Sequence, residues 1–362
     1  MMTSRERILA VLEHHLPDKI PWMPLATRTF FLSLSDYRKK FHSDKNWRAI
    51  SRYLIPEELK YRVDTYHKLG ADFMDWLPFA YTIRRQKVKE KETRSKDKVR
   101  REYQTPLGNL IQEFNVSNLS SGAWCNKLLI KSKGDFKIFE YILKDAVYEI
   151  NDEDVKKRAN VIGKKGVAFW HAPSAPIQHL LIGGELGVEG TILALYDSKS
   201  LLEHLMDVMD EKNQKLCKIL SGSSGEIFLS GNVIGTGMVS PEIFQRYILP
   251  YIKKYAQILH QRDKIVIGHA SGEPIKNLLT YINETGIDAL HGISLSGDVN
   301  VSEMRQAWDG RVVIIGGLDV HFLATAKPEK IESRVKSIID EVMPEGNFIF
   351  GTADDIAYGT PL

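Results

Sequence analysis

Cysteine is nearly absent. Only Cys125 and Cys217 occur, far apart along the chain, so a disulfide framework is excluded, as is any zinc or iron–sulfur site made of thiolates alone. A reducing, cytoplasmic setting is the expectation. Long apolar runs are missing too: no uninterrupted stretch approaches the roughly 20 residues a membrane helix needs. The opening Met-Met-Thr-Ser-Arg-Glu-Arg leads into an amphipathic segment with charges inside it, which is not the pattern of a secretion signal. Excess charge of one sign is small, at +3 over 362 residues. The bases form neither a tail nor a helical stripe, so composition gives nucleic acid no support and points to a small molecule or a protein as partner. No Gly-x-Gly-x-x-Gly turn follows a candidate strand, which leaves a Rossmann cofactor site unsupported.

What is present is apolar material for a large core, 43% of residues, with 26% charged. Ile8, Leu9, Val11 and Leu12 fall at helical spacing behind the cap candidates Thr3 and Ser4, so the chain opens with a helix over Ser4 to Leu12. Ile20-Pro-Trp-Met-Pro breaks it. A second helical pattern runs from about Pro56 to Leu69 and stops at Gly70, and Asp72-Phe-Met-Asp-Trp-Leu reads as extended. From about Tyr81 to Val116 the sequence alternates or carries dense charge around the turn Thr105-Pro-Leu-Gly, which predicts a hairpin or small sheet leaving the main body. The basic stretch Arg84 to Arg101 is interspersed with Glu and Asp and reads as a solvated hairpin, with a docking surface as the alternative.

The second half has a βα rhythm. Short β-rich runs recur at Gly166-Val-Ala-Phe-Trp, Glu226-Ile-Phe-Leu, Lys264-Ile-Val-Ile, Ile287-Asp-Ala-Leu, Val312-Val-Ile-Ile and Asn347-Phe-Ile-Phe. Helices are predicted over Ser198 to Leu220, Ser240 to Gln261, Glu273 to Thr285 and Lys327 to Val342, the last closed by Pro-Glu-Gly. Leu202, Met206 and Met209 keep helical spacing and read as core. Continuous apolar strands are those of a parallel sheet buried on both faces, and the expected architecture is a (β/α)₈ TIM barrel over residues 1–362, with an N-terminal helical extension and an excursion at about 81–130.

Polar residues follow each of these strands in turn: His171, Asn232, His269, His291, Asp319 and Asp354-Asp355. In a barrel all of them converge on the C-terminal rim, where catalytic groups sit. Each taken alone has a plainer reading. Asn232 beside Gly231 suits a turn, Asp319, Asp354 and Asp355 suit helix caps, and His269 suits a bond to a loop carbonyl. Trp22, Trp76, Trp124 and Trp170 are candidates for a pocket wall or for core packing.

At these residues the sequence resembles the uroporphyrinogen decarboxylase superfamily, closest to its corrinoid-dependent methyltransferase branch. The resemblance runs from Ser4-Arg-Glu-Arg-Ile-Leu-Ala and Ile20-Pro-Trp, through Ala172-Pro-Ser-Ala-Pro and Val239-Ser-Pro-Glu-Ile-Phe. It continues in Gly268-His-Ala-Ser-Gly, Glu284-Thr-Gly-Ile-Asp-Ala-Leu, Ile315-Gly-Gly-Leu-Asp and Asp354-Asp-Ile-Ala-Tyr-Gly-Thr-Pro. It implies the same (β/α)₈ barrel. Where decarboxylases carry Met-Arg-Gln-Ala-Gly-Arg, with arginines that hold substrate carboxylates, this chain has Met23-Pro-Leu-Ala-Thr-Arg28. One arginine has become Pro24, which speaks against uroporphyrinogen decarboxylation.

The family's zinc methyltransferases carry a His-x-Cys segment and a later Cys, positions that fall here on His269, Ser271 and Asp354. The resemblance therefore implies either a zinc site of nitrogen and oxygen donors, His269 with Asp354 and Asp355 or Asp319, or a metal-free pocket. A hard zinc site suits a methoxylated substrate. The implied activity is an O-demethylase type of methyl transfer between a small methylated substrate and a corrinoid. No Asp-x-His-x-x-Gly loop is present, so a partner protein must supply the corrinoid. A decarboxylase using Arg28 and the aspartates, or a non-catalytic ligand-binding barrel, is the alternative. The family also allows a homodimer, and it usually continues past Gly359-Thr-Pro-Leu with a last helix.

Overall fold

The computed structural model describes residues 1–41, 55–77, 81–95, 97–116, 123–343 and 346–361. Eight parallel strands form its centre: β1 (Trp22–Met23), β2 (Phe73–Leu77), β3 (Gly166–Ala172), β4 (Ile227–Val233), β5 (Ile265–His269), β6 (Ala289–Ser294), β7 (Val313–Leu318) and β8 (Phe348–Thr352). They are ordered β1-β8-β7-β6-β5-β4-β3-β2. The two ends of that order meet where the Asp72 amide donates to the Trp22 carbonyl (2.7 Å) and the Trp22 amide to Asp72 Oδ2 (2.9 Å). The chain is a (β/α)₈ barrel.

The period-2 alternation of a strand explains the packing. Ile267, Ala289 and Val313 stand in register and belong to one buried cluster inside the barrel, with Met74, Val167, Phe169, Leu229, Ile315 and Ile349. The residues between them, such as Val266, Leu290 and Ile314, join the larger cluster under the helices, which also holds Leu202, Met206 and Met209. The N-terminal helix Ser4–Leu12, with Thr3 and Glu6 in a reciprocal capping box, puts Ile8, Val11 and Leu12 into the inner cluster. It thereby closes the N-terminal end of the barrel, leaving the opposite end as the mouth. No helix among the described residues is long and apolar enough to cross a membrane.

Four elements differ from expectation. The excursion after β2 extends to Ile150, because the strand Ala146–Ile150 returns to pair antiparallel with Tyr81–Arg85. Beyond that pair lies a four-stranded antiparallel sheet, with Pro106 and Leu107 forming the tip between the paired Thr105 and Gly108. Residues 117–122 and Lys96 of this expected segment lie outside the described residues. Its arginines are matched locally, Arg85 with Glu90, Arg94 and Arg101 with Glu92, and Arg100 with Glu113.

The expected helix Ser240 to Gln261 is two helices, Pro241–Tyr247 and Leu249–His260. Pro250 lacks an amide hydrogen and cannot continue the first. The expected helix from Glu273 shrinks to a 3₁₀ turn, Lys276–Leu278, and Leu279–Glu284, because Asp298 captures the Ile275 and Lys276 amides. Strand β6 starts at Ala289, after Ile287-Asp288. Of the expected stop after Val342, Pro344-Glu345 lie outside the described residues.

Candidate functional site

At the mouth, the uppermost inward-facing positions of four strands carry rings. Trp76 of β2 lies in edge contact with His269 of β5 at 4.7 Å, His291 of β6 at 5.8 Å and His171 of β3 at 6.2 Å between ring centres. His269 and His291 are register partners. Their ring planes are inclined by 27° and meet edge to edge, with Nδ1 to Nδ1 3.1 Å apart. Burial holds His269 down to about 4, against the pull of the nearby Asp354 carboxylate. Burial, with His269 beside it, puts His291 well below the ordinary imidazole range. Both rings are therefore neutral near pH 7. The indole Nε1 of Trp76 and the Nε2 of His291 are buried without a hydrogen-bond partner.

Loops after β1, β5 and β8 form the rest of the rim. Ser271 donates to Asp354 Oδ2 (2.7 Å), and Asp354 Oδ1 accepts the Asp355 amide (2.7 Å). Asp355 accepts from Thr27 twice, from its amide (2.9 Å) and its hydroxyl (2.5 Å). Burial raises the Asp355 carboxyl, and the Thr27 bonds oppose this. Thr27 in turn caps the short helix Arg28–Phe31. Arg28 is partly exposed, and its Nε is buried with no acceptor.

The fold thus brings His171, His269 and His291 together with Trp76, and sets Asp354 at their edge. The other candidates are engaged elsewhere. Asn232 is buried in β4, where it accepts the Ala175 amide (2.8 Å) and donates to Ser230 (2.7 Å), so it shapes the loop after β3. Asp319 caps the helix Val320–Thr325 through the Phe322 amide (2.8 Å). Asp355 holds Thr27 and caps no helix. Of the other tryptophans, Trp22 packs on Phe350, Trp170 is core and Trp124 is exposed.

The implied zinc does not fit these positions. Among the described residues no three His, Cys, Asp or Glu side chains come together to hold a metal ion. The physical reason is that the Asp319 and Asp355 carboxylates are turned to backbone and hydroxyl donors, Asp354 is held by Ser271, and His269 Nδ1 is spent on His291.

Two groups near the mouth escaped the sequence reading, Thr27 and the buried pair Asp75–Arg62. The signal for Asp75 was a lone charge inside the apolar run Phe-Met-Asp-Trp-Leu. Nothing local pointed to Thr27.

A barrel of this kind, with ionisable and aromatic side chains gathered at the C-terminal ends of its strands, is the arrangement of a barrel enzyme. Residues 136–362 match the family model for uroporphyrinogen decarboxylase (URO-D), and the chain belongs to that family. It is 30% identical over 137 residues to a methylated-thiol–coenzyme M methyltransferase of Methanosarcina mazei, covering 38% of this chain and 34% of that protein. It is 25% identical over 226 residues to uroporphyrinogen decarboxylase of Paraburkholderia phytofirmans (60% of this chain, 58% of the other). To the methylcobamide:CoM methyltransferase MtbA of M. mazei it is 23% identical over 226 residues (57% and 64%). The chain thus spans less than two thirds of the length of each of these relatives. A solved methyltransferase structure from M. mazei shares the fold at a TM-score of 0.63 and 13% identity, over 100% of this chain and 95% of the other.

Proposed function

We propose that this protein moves a methyl group between a small methylated substrate and the corrinoid of a separate carrier protein, in a cytoplasm that keeps both thiols reduced. The observation that carries the reading is Pro24. A substrate bearing many carboxylates needs fixed guanidinium forks to orient it. Pro24 has no donor, its side chain is buried, and its carbonyl is occupied by the Tyr66 hydroxyl (2.8 Å). Similarity to both a methylated-thiol and a methylcobamide methyltransferase supports the same direction.

The corrinoid supplies the nucleophile that takes the methyl group when the carrier docks. The chain's own part is to seat the substrate and receive the leaving atom. Trp76 offers an apolar wall, and the half-buried rim limits water. His171 and His269 offer imidazole groups, which bond oxygen better than sulfur. Methoxylated compounds are for that reason the substrate class to try first.

The test is incubation of the protein with cob(I)alamin and a panel of methoxylated aromatics and methyl thioethers, following methylcobalamin by its absorbance. A methoxylated substrate is expected to react, and His269→Ala to slow the reaction by about 100-fold, the scale of removing one well-placed donor. Silence across the panel together with turnover of uroporphyrinogen would instead establish the decarboxylase, a reading favoured by Arg28 and its unpaired Nε. Silence in both assays would leave a ligand-binding barrel.

A further inference from the structure

Two neutral imidazoles in Nδ1-to-Nδ1 contact hold one proton between the facing nitrogens, because two lone pairs or two N–H groups at that distance would repel. Either His291 donates and His269 accepts, or the reverse, across the 3.1 Å between them. The contact is built closely. Gly292 sits at φ +83°, and a Cβ there would fall 2.9 Å from His269 Nδ1, so only glycine lets the β6 backbone pass the ring.

The far nitrogen of His291 decides between the two arrangements. His291 is fully buried and its Nε2 has no partner. Were Nδ1 the acceptor, the proton would sit on Nε2 as an orphaned buried N–H, a rare kind of unsatisfied group, whereas a bare acceptor is somewhat better tolerated. His291 is therefore protonated on Nδ1 and donates.

We propose that His291 is a positioning residue that fixes His269 in its Nε2–H tautomer, so that His269 meets the bound molecule as a hydrogen-bond donor and selects an acceptor oxygen, an ether, carbonyl or carboxylate. The acceptor assignment rests on the mouth being the substrate site, whereas the tautomer does not. Nε2 in this form has no lone pair for a cation, in keeping with the missing donor set around it.

The experiment is long-range proton–nitrogen correlation on the full chain labelled with ¹⁵N-histidine at neutral pH, which separates protonated from bare ring nitrogens. Signals are assigned with His269→Gln and His171→Gln. The expected spectrum has His269 protonated on Nε2 alone and His291 on Nδ1 alone. In His291→Phe, His269 loses its fixed tautomer and shows protonated Nδ1 as well, while His171 is unchanged. His269 protonated on Nδ1 in the native protein overturns the proposal, as does a pure Nε2–H form that persists in His291→Phe. Should that variant fail to fold, the native spectrum alone decides. No methyl transfer is read, so this result stands apart from the fate of the proposed activity.

Discussion

Arg62 and Asp75 meet at 2.8 Å with both side chains 3% exposed. Arg62 also donates to the Ala26 carbonyl (3.1 Å) and lies over the Phe31 ring. The pair is incompletely satisfied: Arg62 Nε has no acceptor, and Asp75 Oδ2 receives no well-angled hydrogen bond. Burial pushes the Asp75 carboxyl up to about 6 even with the guanidinium beside it. Removing one partner of such a pair strands the other charge, whereas replacing both with apolar groups is close to neutral. Arg62→Met is accordingly expected to lose about 3–5 kcal/mol in urea unfolding, and Arg62→Met with Asp75→Leu to recover most of it. A double variant no more stable than the single one would show that the pair is not the cause. Asp75 was visible in the sequence as a charge in an apolar run. Arg62 was not, since their meeting depends on how the helix Pro56–Lys68 lies on β2. The same limit separates the mouth residues: the sequence places His269, His291 and Asn232 near strand ends alike, while tertiary contacts decide that Asn232 is used up by Ala175 and Ser230.

At the scale of elements, the helix Leu249–His260 is tied to the approach of β6 by its last residue. His260 Nε2 lies 2.9 Å from Asp288, which also accepts the Val266 amide. The bond to Asp288 raises His260 above 6.5, against some loss from burial. The folded chain then holds a proton that the unfolded chain releases. The stability this provides is fully present below pH 6.5 and disappears as pH climbs through the raised folded value. Both groups are about one third exposed, so the contribution stays below about 1 kcal/mol. Thermal unfolding from pH 6 to 9 should show a downward slope that His260→Gln makes shallower, and equal slopes in the two proteins would refute the assignment. Elements of this kind were well marked in the sequence where one signal dominates, as in the apolar runs of β5, β7 and β8. The sequence is ambiguous where two signals compete. Apolar periodicity runs through Ser240 to Gln261, but Pro250 divides it, and the periodicity after Glu273 yields to Asp298 capturing two amides.

The whole molecule is a ring with one weak seam. Seven ladders join the eight strands in succession. Among the described residues the remaining closure, between β1 and β2, rests on Asp72. Its amide bonds the Trp22 carbonyl, one carboxylate oxygen accepts the Trp22 amide, and the other accepts Arg7 Nη1 (2.7 Å). Arg7 belongs to the helix that closes the base of the barrel and also binds Asp18 (2.8 Å). One carboxylate therefore couples the seam to the base. Asp72→Ala leaves the Trp22 amide and one guanidinium N–H unpaired in a buried place, a cost of about 1–3 kcal/mol. Local openings start where such support is least, so the loss should not be shared evenly. Native-state hydrogen exchange of Asp72→Ala is expected to lose protection first in Ser4–Leu12, Trp22–Met23 and Phe73–Leu77, with Ile265–His269 and Ala289–Ser294 keeping theirs. A uniform drop across all eight strands would mean that the barrel opens as one unit and that Asp72 stabilises it only globally.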